Sequence, residues 1–259
     1  MNDAFNLPRT ALVIGGTSDI AVAIIDRLAT HRLQHLVLAS RDRHRAQAVS
    51  ARLRNDHEGL QLELAHFDAS EVESHAEMLD SAAELLGDID LVLVAAGSLG
   101  TPDRGVGPLG DWAETVDVAR STYVGPISAV HLAANVLHAQ GHGTLAVISS
   151  VAALRPRRTN PAYGAAKAAL DGYTLALADR FHDSGVHVML IRPGFVRTRM
   201  TAGLEGNPPP FATTTDRVAD DVIRGLRRRQ RIVWSPLLAA GPGLLARFLP
   251  GTVMRRLPW

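Results

Sequence analysis

The chain has 259 residues, and 46% of them are hydrophobic, so it is long enough to bury a substantial core. Its 27 Lys and Arg residues almost balance its 26 Asp and Glu residues, and the resulting charge of +1 does not favour a nucleic-acid partner. Because the chain has no cysteine, and no basic stretch followed by an apolar core at its start, we expect no disulfide bonds and a cytoplasmic location.

Short apolar runs rich in β-branched residues alternate with longer stretches of helical spacing. We expect strands at residues 10–14, 35–39, 61–65, 89–95, 143–149, 186–191 and 231–234. The alternation predicts one α/β domain over residues 1–259, a doubly wound, Rossmann-type parallel sheet of seven strands with helices on both faces. Such sheets bind ligands at the carboxyl ends of their strands, so we expect functional residues just after each strand.

The first strand runs into a turn with two glycines, which a helix at residues 22–29 is expected to follow. In such a turn, free backbone N–H groups and the positive end of the helix dipole can meet a pyrophosphate. The alternative is an ordinary capped turn, and the carboxylate in the turn fits a phosphate site only if it points away. The candidate cofactor-binding residues here are Gly15, Thr17, Ser18, Asp19 and Ile20.

The residues that follow the second and third strands suggest which dinucleotide is bound. Ser40 and Arg41 follow the second strand, where an enzyme that prefers NAD commonly carries an acid, and an arginine there suits a 2′-phosphate. Asp68 follows the third strand, where its carboxylate could accept from the adenine amino group. The pattern predicts NADP(H), although a solvated helix turn and a helix cap are alternative interpretations of these residues.

The strongest chemical signal combines a serine at the end of the fifth strand with a tyrosine and a lysine on the next helix. Tyr163 and Lys167 are four residues apart, so they share one helix face. An ammonium within reach can lower the pKa of a phenol, which predicts a general acid. Ser150 could donate to the same carbonyl oxygen of a substrate.

These residues, with the Pro-Gly-x-x-x-Thr run at 193–198, resemble the active-site motifs of the short-chain dehydrogenase/reductase family. The resemblance implies that Ser150 steadies the substrate and that Tyr163 is the catalytic acid/base. It implies that Lys167 lowers the pKa of the tyrosine and holds the nicotinamide ribose, as Tyr163 also does, and that Thr198 binds the nicotinamide carboxamide. The further cofactor contacts implied are Ala95, Gly97, Pro193, Gly194 and Val196.

The chain departs from the family pattern at several positions. Asp19 and Ala21 stand where family members usually have glycine, and Ala95 stands where they usually have asparagine. Thr122 falls near the position of an active-site asparagine that helps to hold a water leading to Lys167. A threonine hydroxyl can also bind water, so we include Thr122 among the catalytic candidates.

Longer phrases, among them residues 15–18 and 192–200, are similar to those of the decaprenylphosphoryl-2-keto-ribose reductases within this family. That resemblance implies reduction of the 2-keto group of a polyprenyl-phosphoryl pentose in cell-wall arabinan precursor synthesis, with a flavin-dependent oxidase as partner. Two alternatives stay open. The chain could reduce a smaller ketone or a 3-oxoacyl substrate, or it could be a non-catalytic NADP-binding partner or sensor.

Four further expectations concern the tail, an earlier loop, metal binding and oligomeric state. The apolar and basic tail at 237–259 could touch the inner face of the plasma membrane or pack on this subunit or a partner. Residues 203–215, with three consecutive prolines, are expected to form a substrate lid with a stiff middle. The spacing of the 11 histidines predicts no metal site, and the family resemblance implies a homo-oligomer, a dimer or tetramer.

Overall fold

The computed structural model describes residues 7–101, 110–202 and 212–254, and its centre is a sheet of seven parallel strands. The strands lie in the order β3-β2-β1-β4-β5-β6-β7, so the chain reverses its direction of winding between β1 and β4. Their bounds are β1 Thr10–Ile14, β2 His35–Ser40, β3 Gln61–His66, β4 Leu91–Val94, β5 Gly143–Ile148, β6 Val186–Pro193 and β7 Ile232–Ser235.

Helices connect the strands and cover both faces of the sheet. Their bounds are α1 Asp19–His31, α2 Arg43–Asp56, α3 His75–Leu86, α4 Trp112–Ala119, α5 Gly125–Gln140, α6 Pro161–Arg180, α7 Thr215–Arg227, α8 Ala240–Phe248 and α9 Gly251–Met254. A π-helical turn, Arg120–Val124, joins α4 to α5, and 3₁₀ turns occur at Val72–Ser74, Val151–Ala153 and Leu237–Ala239.

The strands are apolar on both faces because helices cover both faces. Residues of α1, α2 and α7 pack with one set of strand side chains, such as Val13 and Leu38. Residues of α3, α5 and α6 pack with the alternate set, such as Leu12 and Val37. The two cores fix the position of the strand ends, where the register brings Ile14 beside both Ala39 and Val94.

The sequence-based prediction of the fold is confirmed, with small shifts at the boundaries. β2 and β6 extend one or two residues further than expected, and β4 is shorter than expected. Helix α1 begins at Asp19 rather than at residue 22, because Ser18 takes the N-cap position. Most of the expected lid, residues 203–211, and the arginines at 255 and 256 lie outside the described residues.

The start of the tail forms short helices with exposed apolar side chains. Leu237, Leu238, Leu245 and Phe248 are each at least 63% exposed. Within the described ranges, no helix has both the length and the apolar character that crossing a membrane requires.

Glycines inside two helices give a test of the packing. A Cβ at Gly225 in α7 would lie 2.3 Å from Cγ2 of Val233, whereas nothing lies within 4 Å of a Cβ at Gly172 in α6. We expect Gly225→Ala to lower the free energy of unfolding by about 1–3 kcal/mol, because overpacking outweighs the gain in helix propensity. The matched variant Gly172→Ala should raise it by about 0.5–1 kcal/mol. Urea denaturation measures both, and equal effects would contradict the close packing of α7 on β7.

Candidate active site

The sequence-predicted site residues come together at the carboxyl edge of the sheet. Most of them follow β1, β4, β5 and β6, which are consecutive neighbours in the sheet, and Arg41 and Asp68 follow β2 and β3 beside them. Gly97, after β4, lies beside the catalytic helix, because a Cβ at this glycine would be 3.4 Å from Nζ of Lys167. The turn after β4 and helix α6 therefore face one another across the site.

The glycine turn after β1 packs closely against the turn after β4. Gly15 has φ +76°, and a Cβ there would lie 2.6 Å from the backbone N of Ala96, so only glycine fits. Ser18 is the N-cap of α1, but its side chain makes no capping hydrogen bond. The N–H groups of the first turn thus have no side-chain cap, as a phosphate-binding helix terminus requires. Ile20 is partly buried and packs against the core.

Thr17 and Asp19 connect the glycine turn to its surroundings. The hydroxyl of Thr17 lies 3.2 Å from that of Ser40, which joins the turn to the end of β2. The carboxylate of Asp19 accepts a hydrogen bond from the backbone N–H of Arg199 at 2.8 Å and pairs with its guanidinium. The negative charge that the sequence placed near the expected phosphates is therefore balanced by a cation from a distant segment.

The end of β2 presents an exposed cationic side chain to solvent. The Arg41 side chain is 74% exposed, and its Nε lies 3.9 Å from Oδ2 of Asp68. Burial raises the pKa of the Asp68 carboxyl, but hydrogen bonds from the hydroxyl and N–H of Ser70, together with Arg41, lower it below its ordinary value. Asp68 is thus a charged acceptor, with Arg41 alongside it.

Tyr163 lies near the start of α6, and its hydroxyl is hydrogen-bonded to that of Ser150. Burial raises the pKa of the Tyr163 phenol, while the Ser150 hydrogen bond and the charge of Arg157 oppose the rise. The sequence predicted a phenol with a lowered pKa, and that expectation is wrong for this structure because desolvation outweighs the nearby cation and donor. The side chain therefore holds its proton at neutral pH.

Lys167 lies one helical turn further along α6 and is only 4% exposed. Its Nζ donates a hydrogen bond to the backbone carbonyl of Ile148, at the end of β5, at 2.8 Å. Burial lowers the pKa of the Lys167 ammonium from 10.5 to about 8, and the carboxylate of Asp171 opposes that shift. The lysine is thus fixed to the end of the strand that precedes Ser150, and its pKa of about 8 lies close to neutral pH.

A buried ion pair lies behind the lysine. Arg192 on β6 donates through Nε and Nη2 to both carboxylate oxygens of Asp171, and the Ser149 hydroxyl donates to Oδ1 of Asp171 at 2.7 Å. The guanidinium of Arg192 lies 4.9 Å from the ring centroid of Trp234. Arg192 and Asp171 are each 6% exposed, so the pair joins α6 to β5 and β6 away from water.

Thr122 is fully buried in the π-helical turn between α4 and α5. Its hydroxyl donates to the carbonyl of Ser98 at 2.9 Å and accepts from the N–H of Ser98 at 3.0 Å. The hydroxyl proton that we expected to be available to water is therefore engaged with the turn after β4. Ala95 donates its N–H to the carbonyl of Ile14 at 2.8 Å, which ties the same turn to β1.

The segment after β6 forms a compact turn beside the site. Pro193 ends β6, and the N–H of Gly194 donates to the carbonyl of Ser235 at 2.8 Å. The hydroxyl of Thr201 donates to the carbonyl of Val196 at 2.7 Å and accepts from the N–H of Thr198 at 3.0 Å.

The site contains groups to which the sequence analysis gave no role. Arg157, Asp171, Arg192 and Arg199 act on or beside the predicted residues. The sequence contains a signal for two of them, since an arginine inside the mostly apolar strand at 186–193 requires a buried partner. Asp171 lies four residues after Lys167, on the same helix face, so it is an acid that the helix places near the site.

Comparison with known proteins agrees with this geometry. The family model for the short chain dehydrogenase matches residues 9–208. The chain belongs to the short-chain dehydrogenase family. An uncharacterized oxidoreductase of Mycobacterium tuberculosis is 36% identical over 248 residues, which are 95% of this chain and 96% of that protein. The protein is therefore an oxidoreductase of this family, whose fold binds a nicotinamide cofactor.

Two solved structures show the same fold at low sequence identity. A short chain dehydrogenase/reductase from Burkholderia phymatum in complex with NAD has a TM-score of 0.79 at 18% identity, covering 98% of each chain. A short-chain dehydrogenase from Sphingobium yanoikuyae in complex with NADPH has a TM-score of 0.76 at 22% identity, covering 93% of this chain and 96% of that one. The fold alone therefore does not distinguish the two cofactors.

The residues at the strand ends fit a nicotinamide dinucleotide. The first turn of α1 has no side-chain cap, so its backbone N–H groups could meet the cofactor diphosphate. Among the residues that the structure describes, no group of three or more His, Cys, Asp or Glu side chains comes together to hold a metal.

Lys167 is the single lysine in this sequence, so its protonation can be followed directly. We expect the side-chain signal of protein labelled with ¹⁵N-lysine to titrate near pH 8, because burial disfavours the ammonium. The Lys167→Met variant identifies the signal by losing it. A midpoint close to 10.5 would contradict the desolvation of this group.

The same shift predicts a change in stability. Below pH 8 both folded and unfolded chains hold the lysine proton, and the folded state carries a penalty of about 3 kcal/mol for the buried charge. The penalty fades between pH 8 and 10.5, as the folded state releases the proton first. Lys167→Met removes this penalty but also removes the hydrogen bond to Ile148, which offsets part of the gain. We therefore expect the variant to raise the free energy of unfolding by about 1–3 kcal/mol at pH 7, and by less at pH 10.

Proposed function

We propose that the protein is an NADPH-dependent reductase that converts a ketone into a secondary alcohol. The observation that carries this proposal is the arrangement of Ser150, Tyr163 and Lys167, in which a protonated phenol, a hydroxyl donor and a buried amine lie between β5 and α6. These groups deliver and replace one proton, which is half of the chemistry of carbonyl reduction. A bound nicotinamide cofactor would supply the other half, a hydride to the carbonyl carbon.

The phenol of Tyr163 gives its proton to the carbonyl oxygen as the carbonyl carbon is reduced. The raised pKa of Tyr163 keeps the phenol protonated until a strongly basic alkoxide develops. The phenolate that remains is then stabilised by the Ser150 hydrogen bond and the charge of Arg157. Lys167, with its pKa of about 8, is suited to replace the proton on the tyrosine after each turnover.

The residues after β2 support NADPH as the cofactor. Ser40, at the end of β2, is buried and its hydroxyl is hydrogen-bonded to that of Thr17. A serine therefore stands where an enzyme that prefers NAD commonly has a carboxylate to hold the ribose 2′-hydroxyl. Arg41 is exposed beside that position, and a guanidinium can bind a phosphate through two parallel hydrogen bonds.

We further propose that the substrate is a polyprenyl-phosphoryl 2-ketopentose, used for cell-wall arabinan precursors. The similarity of residues 15–18 and 192–200 to decaprenylphosphoryl-2-keto-ribose reductases supports this substrate. So does the position of α8, because a Cβ at Gly243 would lie 3.2 Å from Leu154, four residues after Ser150, and Leu245 and Phe248 of the same helix are exposed. A long apolar chain could lie on these exposed side chains.

This proposal includes the cellular setting of the reaction. A flavin-dependent oxidase would make the ketone, and the protein would work in the cytoplasm at the inner face of the plasma membrane, as a homo-oligomer. The exposed apolar residues of the tail support transient contact with a lipid surface.

The first experiment measures substrate and catalysis together. Membranes containing the lipid-linked 2-keto sugar are incubated with protein and NADPH, and the sugar product is identified. We expect the reduced pentose with the unmodified protein, and a loss of about 10²–10⁴-fold in turnover with Tyr163→Phe, because the proton donor is removed. The variant should bind NADPH within about twofold of the unmodified protein, since the change removes one hydroxyl.

Other outcomes of this assay separate the alternatives. Activity with soluble ketones or 3-oxoacyl thioesters, and none with the lipid-linked sugar, would replace the proposed substrate. NADPH binding without oxidation of the cofactor by any carbonyl would favour a non-catalytic sensor. Loss of NADPH binding in Tyr163→Phe would make the tyrosine structural.

Arg41 decides the cofactor preference in this proposal. We expect Arg41→Ala to weaken NADPH binding by about 10–100-fold and to leave NADH binding within about twofold, because only NADPH carries the 2′-phosphate. Arg43, the first residue of α2, provides the matched control, and Arg43→Ala should have the smaller effect. Equal losses for both dinucleotides would contradict a phosphate-specific role of Arg41.

A further inference from the structure

The glycine turn after β1 is joined to the turn after β6 by one arginine, 180 residues away in sequence. The backbone N–H of Arg199 donates to Oδ2 of Asp19 at 2.8 Å, and its guanidinium donates to the carbonyl of Thr17 at 2.8 Å. The same guanidinium pairs with the carboxylate of Asp19. Three contacts thus connect Arg199 to the turn that is expected to face the cofactor diphosphate.

The position of Asp19 explains why such a cation is needed. A carboxylate in the first turn of α1 is favoured by the helix dipole, but it competes there with any phosphate that binds the same helix terminus. Without compensation, the charge of Asp19 would repel the cofactor diphosphate. The guanidinium of Arg199 removes that net charge while remaining attached to the turn through Thr17.

The pair has little to contribute to folding. The Arg199 side chain is 54% exposed and that of Asp19 is 25% exposed, and ion pairs at such exposure contribute little to stability. We therefore expect the ion pair to affect the net charge beside the cofactor and the position of the two turns, rather than the stability of the fold. Arg199 directly follows Thr198, whose N–H is held by Thr201, so the contact with Asp19 also fixes this turn beside the glycine turn.

We propose that Arg199 is a positioning residue for the dinucleotide, which neutralises Asp19 and holds the turn after β6 against the glycine turn. The proposal rests on the proposed function in one respect, the binding of a nicotinamide dinucleotide. It predicts that Asp19 harms cofactor binding only when Arg199 is absent. A residue that merely contacted the phosphate would not show this dependence.

The test is a double-mutant cycle read out as NADPH affinity, measured by the fluorescence of the bound nucleotide and without turnover. We expect Arg199→Ala to raise the Kd by about tenfold, because an uncompensated carboxylate then faces the diphosphate. Asp19→Asn alone should change the Kd by less than about threefold. The double variant should recover most of the loss, to within about threefold of the unmodified protein.

Three further variants keep the test independent of folding. Arg199→Lys retains the charge and should bind NADPH within about threefold of the unmodified protein, whereas Arg199→Gln should resemble Arg199→Ala. Arg197 lies in the same turn with an exposed side chain, and Arg197→Ala controls for the loss of one positive charge. Thermal unfolding midpoints within a few degrees of one another show that the variants are folded.

The outcomes distinguish this proposal from the proposed function. A double variant that binds as weakly as Arg199→Ala overturns charge compensation and makes Arg199 a direct phosphate ligand or a structural residue. Equal losses in Arg197→Ala and Arg199→Ala overturn the specific role of Arg199. An unmodified protein that binds neither NADPH nor NADH would instead contradict the proposed function.

Discussion

The site depends on the burial of one ammonium at the end of β5. The hydrogen bond from Lys167 to the carbonyl of Ile148 fixes α6 against the strand that precedes Ser150. A buried cation needs an opposite charge, and Asp171 supplies it from the next turn of the same helix. Asp171 in turn accepts a hydrogen bond from Arg192 on β6. The contacts around Lys167 therefore connect β5, β6 and α6.

The fold could be predicted from the sequence because its information is local and periodic. The short apolar runs at 10–14 and 143–148 are typical of strands that are covered on both faces. The spacing of Tyr163 and Lys167 likewise gives their shared helix face directly. These features depend on residues that are neighbours in sequence.

The electrostatics of the site could not be predicted in the same way, because they depend on pairs that are distant in sequence. The partner of Asp19 is Arg199, and the hydroxyl of Thr122 is occupied by the backbone of Ser98. The pKa of Tyr163 is set by burial, which no sequence pattern reports, and the predicted lowering was wrong for that reason. The sequence shows which charged and polar residues are present, but only the fold determines which of them form pairs and which are buried.

Desolvation acts in opposite directions on the two groups of the catalytic helix, and this has a consequence for the direction of proton transfer. It raises the pKa of the Tyr163 phenol and lowers that of the Lys167 ammonium, so both groups are biased towards their neutral forms. A neutral phenol is the form that can give a proton to a developing alkoxide. Once it has done so, the new phenolate attracts the lysine proton more strongly than before, because the two groups share a face of α6. Burial of the two groups thus keeps Tyr163 protonated before reduction and favours its reprotonation by Lys167 afterwards.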